Sequence, residues 1–291
     1  MRQSQPYNIV ISGGGSGIGA ALAEELSSEG HSVIICGRRI DKLQQVAEKS
    51  ENISFFQCNV SIEKEVIELE RFVSKHHDYV DVVINCAGLF GAIGRFDKTD
   101  SMLWKQTIDI NLFGTYLLSK HFLALLMRSE RKKIINFSGG GAFGTFPNYS
   151  AYAVSKAAVV RFSENIAHEL KDHGVNVNCI APGFVATEIH EATLAAGENA
   201  TGRDHFRLTK GKLQEGAVSV EIPVECVKFL ISPDSDGLTG KTLSAGFDKW
   251  DSKEFRDAIG DISESELYTL RRVNLVNLDE RDLLREKLIK L

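Results

Sequence analysis

Long apolar runs are missing from this chain. Its 291 residues contain no stretch of about 18 consecutive apolar side chains, so no membrane-crossing helix is expected. The first apolar run ends in glycines at Gly13 and is too short for a secretory signal, so it reads as a strand. Clustered cysteine is missing too. Cys36, Cys58, Cys86, Cys179 and Cys226 form no Cys-x-x-Cys pair and have no clustered histidine beside them. No metal site is therefore expected, and scattered reduced thiols suit a cytoplasmic protein. Excess positive charge is also lacking. The net charge is −5, which leaves no electrostatic footprint for nucleic acid. What remains is an ordinary globular balance, 43% hydrophobic and 25% charged. The length suffices for one large α/β domain or two small ones.

Short apolar runs alternate with segments of helical spacing. Tyr7–Ser12, Ser32–Cys36, Ile53–Cys58, Val80–Asn85, Lys133–Ser138 and Val175–Ile180 read as strands, with a seventh at Lys241–Ala245. Helical patterns occupy about 17–29, 40–50, 62–77, 101–128 and 149–173. This alternation predicts an α/β fold: a single doubly wound, Rossmann-type parallel sheet of about seven strands with helices on both faces. Residues 1–250 form the dinucleotide-binding and catalytic domain in this reading. Residues 188–221 have no clear period and four glycines, so they are expected to be a lid or a mobile insertion. Residues 251–291 read as a helical C-terminal extension. In it, Ser263–Glu266 resembles a capping box, and Leu283, Leu284, Leu288 and Leu291 suggest an amphipathic last helix.

The first strand runs into Gly13, Gly15, Ser16, Gly17, Ile18 and Gly19, and a helix follows at once. Glycines let backbone N–H groups approach a pyrophosphate, and the helix N-terminus adds partial positive charge. Further along stand Asn85-Cys86-Ala87-Gly88, Asn111, Tyr152-Ala153-Val154-Ser155-Lys156, and Pro182-Gly183 with Thr187. On these motifs the chain, over roughly residues 7–247, resembles the classical short-chain dehydrogenase/reductase family. The resemblance implies NAD(P)-dependent hydride transfer. It also places Asn59 and Val60 by the adenine, and Asn85, Ala87, Gly88, Pro182, Gly183, Val185 and Thr187 against the cofactor.

The second strand ends at Gly37-Arg38-Arg39, without the acid that accepts a ribose 2′-hydroxyl. Arginines there suit a 2′-phosphate, which points to NADP(H), with Arg38 as the first contact. Tyr152 and Lys156 share one helix face. A cation four residues along, together with the positive nicotinamide ring, is expected to lower the tyrosine pKa, so that the hydroxyl can donate and accept a proton. The resemblance further implies that Lys156 holds the nicotinamide ribose and that Asn111 anchors a relay water.

The family's catalytic serine position, thirteen residues before the tyrosine, holds Gly139 here. Three readings stay open. Ser138 turns inward, the glycine N–H groups act as a small oxyanion site, or catalysis is impaired and the protein senses or scaffolds NADP(H). A dehydratase or epimerase with transiently used cofactor is a further alternative. The substrate is expected to be a small carbonyl or secondary alcohol. Arg203, His205, Arg207, Lys210 and Lys212 read either as a solvated loop or as a site for an anionic, sugar-nucleotide-like substrate. Among the histidines, His190 and His205 lie in the lid, while His121, His168, Trp104 and Phe113 read as packing or surface residues. Apolar surface on the 101–128 and 149–173 helices suggests a homodimer or homotetramer.

Overall fold

The computed structural model describes residues 6–272. Its strands are β1 (Asn8–Ser12), β2 (Ser32–Gly37), β3 (Ile53–Gln57), β4 (Val82–Asn85), β5 (Lys133–Phe137), β6 (Asn176–Ala181) and β7 (Thr242–Ser244). All are parallel, in one sheet of order β3-β2-β1-β4-β5-β6-β7. The order reverses between β1 and β4. Such a reversal opens a crevice at the carboxyl ends of the strands.

The strand β1 shows why short, wholly apolar runs become strands here. Ile9 and Ile11 pack with Val33, Ile35, Leu22 and Leu26 on one face. Val10 packs with Ile34, Val83, Leu69 and Phe122 on the other. A strand covered on both sides keeps no polar face, so the period-two alternation disappears. Helices α1 (Gly17–Ser28), α2 (Ile40–Ala47) and, later in the chain, α9 (Glu221–Ile231) cover the first face. Helices α3 (Glu63–Ser74) and α5 (Gly114–Leu126) cover the second.

The expected helix at 101–128 is divided. Helix α4 (Ser101–Ile108) and α5 meet through a π-helical turn, Asp109–Phe113. That widened turn carries Asn111, a placement that π-turns frequently give to functional residues. Helix α6 (Ser150–Glu169) carries Tyr152 and Lys156 on its buried side. Residues 188–221 are not an irregular insertion. They form α7 (Glu191–Thr201) and α8 (Arg203–Glu215), with a kink at Gly197 (φ +76°) and a break at Gly202. The interrupting glycines mask the helical period in the sequence.

The Ser263–Glu266 segment ends a helix instead of starting one. Helices α10 (Lys253–Asp257) and α11 (Ile259–Glu264) precede it, and Ser263 Oγ donates to the Gly237 carbonyl at 2.7 Å. Phe255, Ile259 and Ile262 are buried in the same core as the sheet, so the extension packs on the body from its start. Leu283, Leu284, Leu288 and Leu291 lie outside the described residues. No described helix is long and apolar enough to cross a membrane.

Candidate active site

One cleft of about 940 Å³ lies at the carboxyl ends of the strands. The register sets its floor: Ser12 lies opposite Asn85, Asn85 opposite Asn136, Phe137 opposite Ile180, and Ala181 opposite Ser244. One half is built from the glycine turn, the end of β2 and the loop after β4. The other is built from the loop after β5, the head of α6 and the segment after β6.

The glycine turn is bare for steric reasons. The N–H groups of Gly13 and Gly14 donate to the Cys36 carbonyl at 2.8 and 3.2 Å. A Cβ on Gly13 would lie 2.8 Å from Ala87 Cα, and one on Gly19 would lie 2.3 Å from the Gly13 carbonyl oxygen. No side chain fits at either position. Ser16, the residue before α1, makes no side-chain cap to the helix. The head of α1 at Gly17 and Ile18 lines the cleft, so its N–H groups and helix-end charge are suited to an anion. These features fit the pyrophosphate of a dinucleotide.

Arg38 and Arg39 both line this half. Arg38 has no ion-pair partner among the described residues. Arg39 is engaged: its Nη2 donates to Ser16 Oγ at 2.9 Å and to Glu188 Oε2 at 2.7 Å. Lys42 Nζ lies 3.8 Å from the same carboxylate. The Arg39 hydrogen bond holds the Glu188 carboxyl below the usual range. Glu188 had no signal in the sequence, because its partners lie about 149 residues away. Asn59 and Val60 also line the cleft. Asn59 Oδ1 accepts from Ser61 Oγ at 2.8 Å, a local turn that fixes the chain after β3.

Asn85 is placed differently from expectation. It is buried but does not line the cleft. Its Nδ2 donates to Ser119 Oγ at 3.0 Å and Asn136 Oδ1 at 2.8 Å, which makes it a polar strut between β4, β5 and α5. Ala87 and Gly88 do line the cleft, as do Pro182, Gly183, Val185 and Thr187.

Asn111 is likewise fully buried and off the cleft wall. Its Nδ2 donates to the Leu89 carbonyl at 2.9 Å and to Ser155 Oγ at 3.0 Å, and its Oδ1 accepts from the Leu89 N–H at 2.9 Å. Its backbone carbonyl accepts from Thr115 Oγ1 at 2.9 Å. The side chain thus clamps the loop after β4 to α6. A Cβ on Gly88 would lie 3.4 Å from both Asn111 Oδ1 and Lys156 Nζ, so the three groups converge.

Lys156 is buried, and its Nζ donates to the Phe137 carbonyl at 2.8 Å. Burial lowers its pKa to about 8, a shift only partly offset by the Cys86 and Cys179 thiols. Its Nζ sits 5.7 Å from the centroid of the Tyr152 ring. Burial raises the Tyr152 pKa above its ordinary value, and no opposing charge lowers it. The lysine lies toward the ring face and bonds the chain carbonyl, so desolvation dominates and the hydroxyl holds its proton.

Gly139 to Gly141 line the cleft beside Tyr152. A Cβ on Gly139 would lie 2.2 Å from Tyr152 Oη. The tyrosine hydroxyl therefore takes the volume that a side chain at 139 would need. Ser138 lines the same cleft, and its Oγ is buried with no hydrogen-bond partner among the described residues. An unpaired buried hydroxyl is costly.

The short chain dehydrogenase family model matches residues 7–197. The chain belongs to the short-chain dehydrogenase/reductase family. Its relatives in that family include the short-chain reductase NovJ of Streptomyces niveus, 31% identical over 82% of this chain and 92% of that one. Xanthoxin dehydrogenase of Arabidopsis thaliana is 29% identical over 80% of this chain and 86% of its own. Among solved structures, a variant of ElxO with NADPH bound superposes with a TM-score of 0.72 at 27% identity, covering 83% of this chain and 97% of that one. This short-chain dehydrogenase is thus a member of an oxidoreductase family whose enzymes act on CH–OH groups with NAD(P)(H).

Of the basic residues on α8, only His205 lines the cleft of this family member. Arg203 pairs with Glu198 at 3.0 Å, and Arg207 and Lys210 are exposed. Lys212 is exposed and lies over the Phe184 ring, 5.1 Å from its centroid.

Proposed function

We propose that this protein interconverts a carbonyl and a secondary alcohol by NADP(H)-dependent hydride transfer. The observation that carries the reading is the convergence of Tyr152, Lys156 and the unpaired Ser138 hydroxyl on one cleft whose other half is a side-chain-free anion cradle. When bound, the cofactor supplies or takes up the hydride. Gly13, Gly15, Ser16, Gly17, Ile18 and Gly19 would hold its pyrophosphate, and Arg38 with Arg39 would hold a 2′-phosphate. The NADPH-bound ElxO relative supports that choice of cofactor.

The remaining chemistry belongs to the chain. Tyr152 Oη carries a proton that burial keeps in place, so it can donate to a carbonyl oxygen as negative charge develops there. Lys156, at the edge of titration near pH 8, can replace that proton. Ser138 Oγ, free of any competing partner, donates to the same oxygen, in the way a preorganised donor stabilises an oxyanion. Asn111 acts as a positioning residue: it fixes the Leu89 backbone beside Lys156. Exposed Met102, Leu103, Phe113 and Val154 on α4–α6 support pairing with a second copy of the chain, which sedimentation would read directly.

The test is a fluorescence titration with NADPH and with NADH, followed by a carbonyl screen. Selective NADPH binding and NADPH oxidation dependent on Tyr152 support the reading. Binding of neither nucleotide by folded protein overturns it. Undiminished output from Tyr152→Phe would favour a sensor instead.

A further inference from the structure

Beyond Tyr152 the cleft wall is made of rings. Phe90 meets Tyr152 edge-on at 4.8 Å between centroids and meets His190 at 5.5 Å. Phe146 stacks on Tyr149 at 4.4 Å and presents its edge to Tyr152 at 6.2 Å. His205, from α8, meets Phe146 edge-on at 4.9 Å. Phe184 stacks on His190 at 3.8 Å. Phe90, Phe146, Phe184, His190 and His205 all line the cleft. They come from four separate segments, the loops after β4 and β5, the segment after β6 and α8, so the fold gathers them there.

Charge is scarce in this half. Its one lysine, Lys156, already donates to the Phe137 carbonyl. Lys212 lies over the Phe184 ring, 5.1 Å from its centroid, and is not part of the wall. Burial holds His190 at a pKa of about 4 and lowers that of His205, so both rings are neutral near pH 7. Lys212 is near enough to help depress the His190 and His205 pKa values, but it is exposed and outside the lining. An anion among the rings would therefore be desolvated with only a solvated counter-charge nearby, a cost. A neutral ring would meet edges and faces at the spacings that aromatic pairs prefer. Two buried polar atoms of the wall make no well-formed hydrogen bond among the described residues, Ser138 Oγ and His190 Nδ1, although the His190 ring also meets the Val185 backbone. The first belongs with the reacting oxygen. The second suits one further polar substituent on the same molecule.

We propose that the substrate is an uncharged, ring-bearing carbonyl compound or its alcohol, seated among Phe90, Phe146, His190 and His205, with His190 Nδ1 taking a second polar group. The carbonyl in that statement rests on the hydride-transfer reading above; the ring recognition does not.

The test compares NADPH-dependent reduction of 2-tetralone, 2-butanone and dihydroxyacetone phosphate by the intact protein. Binding of 2-tetralone is read in parallel by saturation-transfer NMR. The fused-ring ketone is expected to exceed both others in kcat/KM by at least about ten-fold, the value of one or two aromatic contacts. Phe146→Leu should lower the ratio of 2-tetralone to 2-butanone. His190→Phe keeps a ring and should leave 2-tetralone, which has no second polar group, ahead of 2-butanone. It should remove the advantage of 6-hydroxy-2-tetralone over 2-tetralone. A phosphorylated carbonyl preferred or equal to 2-tetralone overturns the proposal, and so does the absence of both binding and turnover of 2-tetralone. Saturable binding of 2-tetralone, weakened by Phe146→Leu but without reduction of any carbonyl, would support the ring site and remove the hydride-transfer reading.

Discussion

Gly139 and Tyr152 share one volume: a methyl group on Gly139 would lie 2.2 Å from Tyr152 Oη and 3.0 Å from its Cζ. The tyrosine cannot swing aside cheaply, because Phe90 and Phe146 hold its ring. Gly139→Ala should therefore displace the hydroxyl and lower kcat by about 100-fold, as misplacement of a reacting group does. Nicotinamide cofactor affinity should hold. Gly140→Ala is the control, since its Cβ would meet Phe146 at an ordinary 3.8 Å. Equal activity of the two variants would mean that the hydroxyl is free to relocate.

Ser138→Ala should separate stability from activity. The buried Oγ has no partner among the described residues, and an unpaired buried hydroxyl costs about 1–3 kcal/mol. Its removal should leave the melting temperature of the cofactor-free protein unchanged or raised. Turnover should fall by about 100-fold if the hydroxyl steadies the developing oxyanion. A fall in both would show instead that the hydroxyl is structural.

These two residues also mark how far the sequence could be read. Gly13, Gly17, Gly19, Tyr152 and Lys156 were legible because their spacing is local: one turn and one helix face. The central strands were legible because both of their faces are buried, while β3 at the sheet edge is partly exposed. The strut that Asn85 makes was not legible, because its partners, Ser119 and Asn136, are 34 and 51 residues away. The ring wall had no local signature either, since Phe90, Phe146, the Phe184–His190 pair and His205 are brought together only by the fold. The helices α7 and α8 were hidden by Gly197 and Gly202, at φ +76° and +85°. The burial of Tyr152 and the Phe137 carbonyl that claims Lys156 were not legible, because a pair at i, i+4 reveals neither.

Lys156 gives the cofactor-free protein a specific pH signature. Burial lowers its folded pKa from 10.5 to about 8. Between these values the unfolded chain binds more protons, so stability rises with pH. The contribution is full above the unfolded pKa and is lost as pH falls through about 8. Lys156→Met removes it. The melting temperature of the variant minus that of the wild type should thus be most positive near pH 7 and should decline toward pH 10. Groups common to both proteins cancel in the difference. A difference independent of pH would place the lysine outside the buried environment described above.

Glu188 sits on the cationic end of the cofactor half, 2.7 Å from Arg39 and 3.8 Å from Lys42. Its carboxylate competes for the charge that a 2′-phosphate would use, and like charges placed side by side repel. Glu188→Gln should tighten NADPH binding while leaving NADH nearly unchanged. The pair is exposed, so the gain should be modest, about two- to five-fold, and should shrink as salt is raised. Arg38→Ala should act in the opposite direction and weaken NADPH by about ten-fold, again without effect on NADH. Parallel titrations of the two variants with both nucleotides decide the matter. Equal shifts for NADPH and NADH would assign Glu188 to closing the segment before α7 over the cleft, rather than to reading the phosphate.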